Sequence, residues 1–146
     1  MSAWSSFLTA HAVLIQALEA RSAEAGLPPL VWYDALWALE RAPEQRLRIS
    51  EFEQSMVISR SNITRLVDRL EQAGLVARER SEEDRRGAFA VLTAEGRKMR
   101  KRIWSVYGPA IDELFDSRLS EAQHRHIEQA MLRLIAAHRA TEKRAG

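Results

Sequence analysis

The sequence has no cysteine in its 146 residues. Disulfides, thiolate metal sites and thiol redox switches are therefore excluded. It has six glycines, scattered, and no glycine-rich run of the kind that cradles a phosphate. The four histidines are His11, His124, His126 and His138. His124 and His126 are two apart and point to different sides of a helix, so they do not chelate as an i, i+4 pair does. No metal and no cofactor is expected. No nucleophile elbow is present either, and an enzyme is not the expectation. No apolar run approaches the ~20 residues that a membrane-spanning helix needs, so no membrane partner is expected. The N-terminal MSAWSSFLTA lacks a basic leader, which argues against a secretory signal and for a cytoplasmic location.

What is present is helical patterning and an uneven charge. Hydrophobic residues make up 46% of the chain, enough for a core. Net charge is only +2, but from Arg41 to Arg102 there are 15 Lys and Arg against 10 Asp and Glu. The basic excess sits in the middle of the chain, as phosphate binding would place it.

Residues 5–24 read as an amphipathic helix ended by Gly26 and Pro28-Pro29. Leu30–Arg41 is apolar on most of its circumference and is expected to be buried on most sides. Leu47-Arg48-Ile49 suits the third strand of a small sheet. Ser50 with Glu53 reads as a capping box opening a short helix, with Phe52, Met56 and Val57 packing inward. Met56-Val57-Ile58 is then a turn between two helices, without the glycine that many such turns carry.

The second of those helices is expected over 59–73. Ser59 is a good N-cap, and Gly74 supplies the left-handed residue that stops helices. Ile63, Leu66, Val67 and Leu70 form one apolar stripe at helical spacing. The opposite face carries Arg60, Ser61, Thr64, Arg65, Asp68 and Arg69, a polar set that suits a DNA major groove. Residues 75–92 follow as a hairpin, or wing, with a charged connection ending at Gly87. Ser59 is expected to cap the helix and offer its backbone donors to a phosphate, and Arg60, Ser61, Asn62, Thr64 and Arg65 are the candidate groups at or near base edges. Arg69 and Arg80 are candidate phosphate contacts, and Arg85 and Arg86 can reach phosphates or a narrow minor groove. Asp84 is placed to hold an arginine, since carboxylate and guanidinium pair in two-pronged fashion.

Thr93 caps the next helix, in which Pro109 predicts a kink or break near Gly108. Ser120 with Gln123 forms a capping box for a last helix running to about His138, with a fraying tail beyond. The fold class expected is mainly α with a small antiparallel β-wing. Its parts are an N-terminal helix (1–29), a winged helix-turn-helix lobe (30–93) and C-terminal helices (94–146). The outer helices are amphipathic and too many for one small lobe to cover. Their apolar faces are expected to pair with a second copy, making a homodimer. Two reading helices about one DNA turn (~34 Å) apart suit double-stranded DNA with a pseudo-palindromic operator.

The stretches SRSNITRLVDRLEQAGLV and EDRRGAFAVLTAEG resemble the MarR family of winged helix-turn-helix regulators. That family's wing signature falls here on Asp84, Arg86, Leu92 and Thr93. The resemblance implies that Arg86 enters the minor groove and that Asp84 helps to fix it. It also implies a dimeric repressor released from its operator by a small, often phenolic, ligand. His11, Trp32, Tyr33 and Trp37 are the candidate lining for such a small aromatic ligand. A different class of function is a winged-helix protein-interaction module without an operator. An apolar or aromatic anchor on the outer helix face would favour it, and arginines stand there instead.

Overall fold

The computed structural model describes residues 1–57, 62–81 and 87–146. Its elements run α1 (Ala3–Glu24), α2 (Leu30–Arg41), β1 (Arg46–Arg48), α3 (Phe52–Ser55), α4 (Ile63–Gln72), β2 (Val76–Arg80), β3 (Ala88–Leu92), α5 (Ala94–Leu114) and α6 (Glu121–Ala145). Short 3-10 turns occupy Pro43–Gln45, Ile49–Glu51 and Asp116–Arg118. The chain forms two compact units, 1–109 and 110–146. Among the described residues, no helix is long and apolar enough to cross a membrane. The mainly α class with a small antiparallel sheet is the one the sequence implies.

In the first unit, the Ser2 hydroxyl caps α1 by accepting from the Ser5 N–H. Gly26, at φ 71°, ends it in the left-handed conformation that glycine enters without steric cost. Helix α2 has Pro29 at its N-cap, which offers it no side-chain cap. Its first N–H, that of Leu30, is met by both Glu19 carboxylate oxygens of α1, at 3.2 and 3.3 Å. A carboxylate there also suits the positive end of the α2 dipole.

The winged lobe packs around one apolar core. Ala35, Leu36 and Leu39 of α2 meet Phe52, Met56, Leu66, Val67 and Leu70 of the helix-turn-helix, and Leu75, Val76, Ala90 and Leu92 of the sheet. The strand order is β1-β3-β2, all antiparallel, with Arg46 opposite Val91 and Val76 opposite Leu92. The third strand is thus the one expected, shifted by one residue. The Ser81 N–H donates to the Gly87 carbonyl at 3.2 Å, so the hairpin closes across its connection.

Three expectations in this unit change. Helix α4 begins at Ile63, not at Ser59, because Asn62 sits at φ 56°, ψ 40°, left-handed and outside any right-handed helix. Ser50 lies inside a 3-10 turn and is not the N-cap of α3, which is Glu51; the side chain of Glu53 lies outside the described part of the chain. Val57, expected inside, is 81% exposed. Met56 is extended at φ −87°, ψ 146° and buried, and successive side chains of extended backbone point opposite ways. The helix-ending Ala73 and left-handed Gly74 stand where the sequence puts them.

Helix α5 runs unbroken from Ala94 to Leu114 with Pro109 inside it, so the expected break is absent. In the second unit, Ser120 and Gln123 make the full capping box at the start of α6. Helix α6 continues to Ala145, past the expected end near His138. The extension is supported by good helix formers and by an i, i+4 pair, His138 with Glu142 at 3.2 Å.

Candidate nucleic-acid interface

Helix α4 buries Leu66, Val67 and Leu70 and turns Thr64, Arg65 and Arg69 to solvent. The inner side is thereby anchored to the lobe core, and the outer side is free to meet another surface. The acidic groups of α4 do not stay on that outer surface unpaired. Arg78 of β2 binds Asp68 at 2.5 Å and Glu71 at 3.2 Å. The charge left on the helix is therefore that of Arg65 and Arg69, which have no partner among the described residues. Arg80, at the end of β2, is exposed and has no partner there either.

Other arginines of the lobe are occupied. Arg46 pairs with Glu44 at 3.2 Å and Glu79 at 3.6 Å, and its guanidinium lies 4.3 Å from the Phe89 ring centre. Arg48 stands over the same ring at 5.0 Å and pairs with Glu51 at 3.8 Å. Arg97 donates to the Gln45 amide oxygen, and Arg100 pairs with Glu40 at 2.9 Å. The pairs of Arg46 and Arg48 are solvent-accessible and add little stability, whereas Arg100 and Glu40 are mostly buried. Their joint effect here is to leave Arg65, Arg69 and Arg80 as the uncommitted cations of helix and wing among the described residues.

The expected base-edge residues divide accordingly. Thr64, Arg65 and Arg69 stand together on α4, and Asn62 is the exposed left-handed residue in front of it. Ser59, Arg60 and Ser61 lie outside the described residues, as do Asp84, Arg85 and Arg86 of the wing. Arg78 was not foreseen as part of this site. Its signal was available: it stands two residues on from the buried Val76 of β2, hence on the same face, where acids of the neighbouring helix can meet it.

The candidate ligand residues do not form one group. Tyr33 stacks on Trp104 at 5.8 Å and meets Tyr107 edge-on at 5.2 Å, while Trp104 and Tyr107 are 5.8 Å apart. Trp37 instead lies between two guanidiniums, those of Arg41 at 5.7 Å and Arg100 at 5.1 Å. Trp32 packs against the lobe core, and His11 has Phe7 as its ring neighbour on the exposed side of α1. The cluster is thus one residue of the expected set plus two from α5. Gly108 belongs to it as well, since a Cβ there would fall 2.9 Å from the Trp104 ring.

Burial pushes both tyrosine phenols above their ordinary pKa of 10.0. For Tyr33 the Arg100 guanidinium pulls the other way and is outweighed; for Tyr107 the neighbouring Tyr33, Asp34 and Glu19 add to the rise. The folded protein therefore keeps these protons longer than the unfolded chain does. The stability that results is full below pH ~10 and is lost as pH climbs through the raised values. An alkaline titration of tyrosine absorbance is expected to show both tyrosines ionising late in the fold and near ~10 after unfolding in urea.

A model of the MarR family matches residues 25–87 of the chain. The regulator PapX of Escherichia coli is 35% identical over 85 residues, 58% of this chain and 52% of PapX. The chain spans about half the length of the curated relatives it matches. The MarR-family regulator AbsC of Streptomyces coelicolor has a similar structure, with a TM-score of 0.83, 28% identity, and coverage of 94% of this chain and 93% of AbsC. Sco3205 of the same organism, solved in complex with DNA, superposes with a TM-score of 0.81 over 91% of this chain and 82% of its own. It is 32% identical to the chain across that span, and with its winged lobe, its helix order and this kinship the chain belongs to the MarR family.

Proposed function

We propose that the chain is a sequence-specific DNA-binding transcriptional regulator that works as a homodimer. The observation that carries this is the outer face of α4. Arg65 and Arg69 stand there uncommitted, while Asp68 and Glu71 are drawn off by Arg78. A helix held by apolar packing with free guanidiniums outward fits a major groove. A protein-docking helix would instead carry an apolar anchor, and the described outer face of α4 has none. Asn62 and Thr64 are the remaining near-base groups on described backbone, and Arg80 is a phosphate contact. The roles of Ser59, Arg60, Ser61, Asp84, Arg85 and Arg86 are proposed from sequence and resemblance.

The dimer is supported by apolar surface on two helices. On α1, Trp4 is 67% exposed, with Phe7, Leu8 and Val13 also open. On α6, Leu134 is 63% exposed, with Ile127, Leu132 and Ile135 also open. Such faces call for a partner, and a second copy of the chain supplies two reading helices. A sedimentation coefficient of a monomer at micromolar concentration overturns this part.

We further propose repression relieved by a small aromatic ligand held at Tyr33, Trp104 and Tyr107. Trp104 is 44% exposed, so the cluster is open on one side. The Arg100 guanidinium lies near enough to Tyr33 to pull on its phenol, and a cation beside the cluster suits a ring bearing a carboxylate. Ligand-induced release requires that the ligand bind the DNA-incompetent dimer more tightly. Quenching of tryptophan fluorescence by phenolic acids is expected to saturate and to vanish in Trp104→Phe. No saturation with any of them, and no loss of DNA binding, removes the ligand.

The DNA reading itself is tested by the salt dependence of affinity. Each phosphate neutralised contributes a slope of about −0.9 in the logarithms. With about six contacts for the pair, affinity falls roughly a thousandfold between 50 and 200 mM salt. A protein that binds no duplex, or binds with no salt dependence, is not such a regulator.

A further inference from the structure

The stretch that leads from α3 to the reading helix carries no glycine, and its start at Ser55–Val57 is held by side chains from elsewhere. Two side chains of α2 meet it. The Asp34 carboxylate accepts from the Val57 N–H with both oxygens, at 2.8 and 3.0 Å. The Arg41 guanidinium donates to the Ser55 carbonyl at 3.3 Å. One group therefore satisfies a donor, and the other an acceptor, left over where α3 stops. Asp34 and Arg41 are two helical turns apart and so share a face of α2. Between the two clasped residues lies Met56, extended and buried.

We propose that Asp34 and Arg41 are positioning residues for DNA recognition: they fix the backbone of Ser55–Val57 and so set where α4 stands. This rests on the reading of α4 as the DNA-contacting helix. Asp34 is 4% exposed in a helix that is otherwise apolar on its buried sides. A buried carboxylate is costly unless hydrogen-bonded, so it holds its donor firmly. An apolar residue of similar size would pack there with less penalty, and would leave the Val57 N–H without a partner in the fold. From Val57 only four residues lead to Asn62, so the clasp and the reading helix are close neighbours along the chain. Phe52 and Leu66 fix the two helices against the core, but apolar contacts are non-directional. The two α2 side chains add the direction.

The test uses the full chain, a duplex selected from a random pool by the wild-type protein, and a scrambled duplex of equal length. In Asp34→Ala, affinity for the selected duplex is expected to fall at least tenfold, with affinity for the scrambled duplex within twofold. Asp34→Asn keeps one acceptor oxygen and is expected to recover part of the loss. The Val57 amide proton is expected to move upfield in both variants, further in the alanine. If Asp34→Ala does not fold, Arg41→Ala decides: that side chain is exposed, and its loss is expected to cut the selected-to-scrambled ratio at least threefold. Equal losses on the two duplexes, or an unchanged ratio with an unmoved Val57 amide, overturn the clasp. Failure of the wild type to select any duplex overturns the DNA reading instead.

Discussion

Arg65→Ala is expected to weaken binding to the selected duplex by about 1–3 kcal/mol, and to relax the preference at one base position. Arg69→Ala is expected to weaken binding to every duplex alike and to take about one unit from the salt slope. The two differ because of where they stand on α4. Arg65 lies in the first turn after Asn62, and the N-terminal residues of a reading helix are those that reach base edges. Arg69 is one turn further on the same face, where a helix lying in a groove has come level with the phosphates. Asp68 stands beside Arg69, and its charge would oppose any phosphate contact were it not held by Arg78. Arg78→Ala is therefore expected to weaken DNA binding although Arg78 faces the lobe. Competition assays with single-base variants of the selected duplex separate the roles. A loss in Arg65→Ala that is uniform over all variants makes Arg65 a phosphate contact.

The parts legible in the sequence are those decided by local periodicity. Leu66, Val67 and Leu70 repeat at helical spacing, so the buried face of α4 follows from the chain alone. Gly74 ends the helix because left-handed backbone there favours glycine. The start of α4 is not decided locally. Ser59, Ser61 and Asn62 are all good caps, and the structure uses Asn62, without a side-chain bond. Of the three residues in the aromatic cluster, only Tyr33 was legible. Tyr33 sits on α2 and Trp104 and Tyr107 on α5, and no spacing rule links residues so far apart. Asp34 did carry a signal that went unread. An acid within a helix apolar on most sides must be buried, and a buried acid must have a donor. The wing signature at Asp84 and Arg86 rests on resemblance, since those residues lie outside the described ones.

Gly96→Ala is expected to destabilise the lobe by about 3 kcal/mol, the upper end of what overpacking costs. A Cβ at Gly96 would fall 2.2 Å from the Leu75 carbonyl oxygen and 2.7 Å from the Leu92 Cδ1. The leucine side chain can turn away, but the carbonyl cannot move freely. It already accepts from the Thr93 N–H at 3.2 Å. Thr93 in turn donates its hydroxyl to the Gly74 carbonyl at 2.8 Å and caps α5 by accepting from the Gly96 N–H at 3.0 Å. One knot thus joins the end of α4, the start of β2, the end of β3 and the first turn of α5. Moving Leu75 to admit a methyl group strains every one of these bonds. The backbone of Gly96 is ordinary for a helix, so the need for glycine here is one of space rather than of conformation. The urea midpoint of Gly96→Ala should fall at unchanged slope. Because the knot holds the far end of α4, the variant should also lose selectivity for the chosen duplex before it unfolds. An alanine variant as stable as the wild type means that α5 shifts to make room, and the knot is looser than its hydrogen bonds imply.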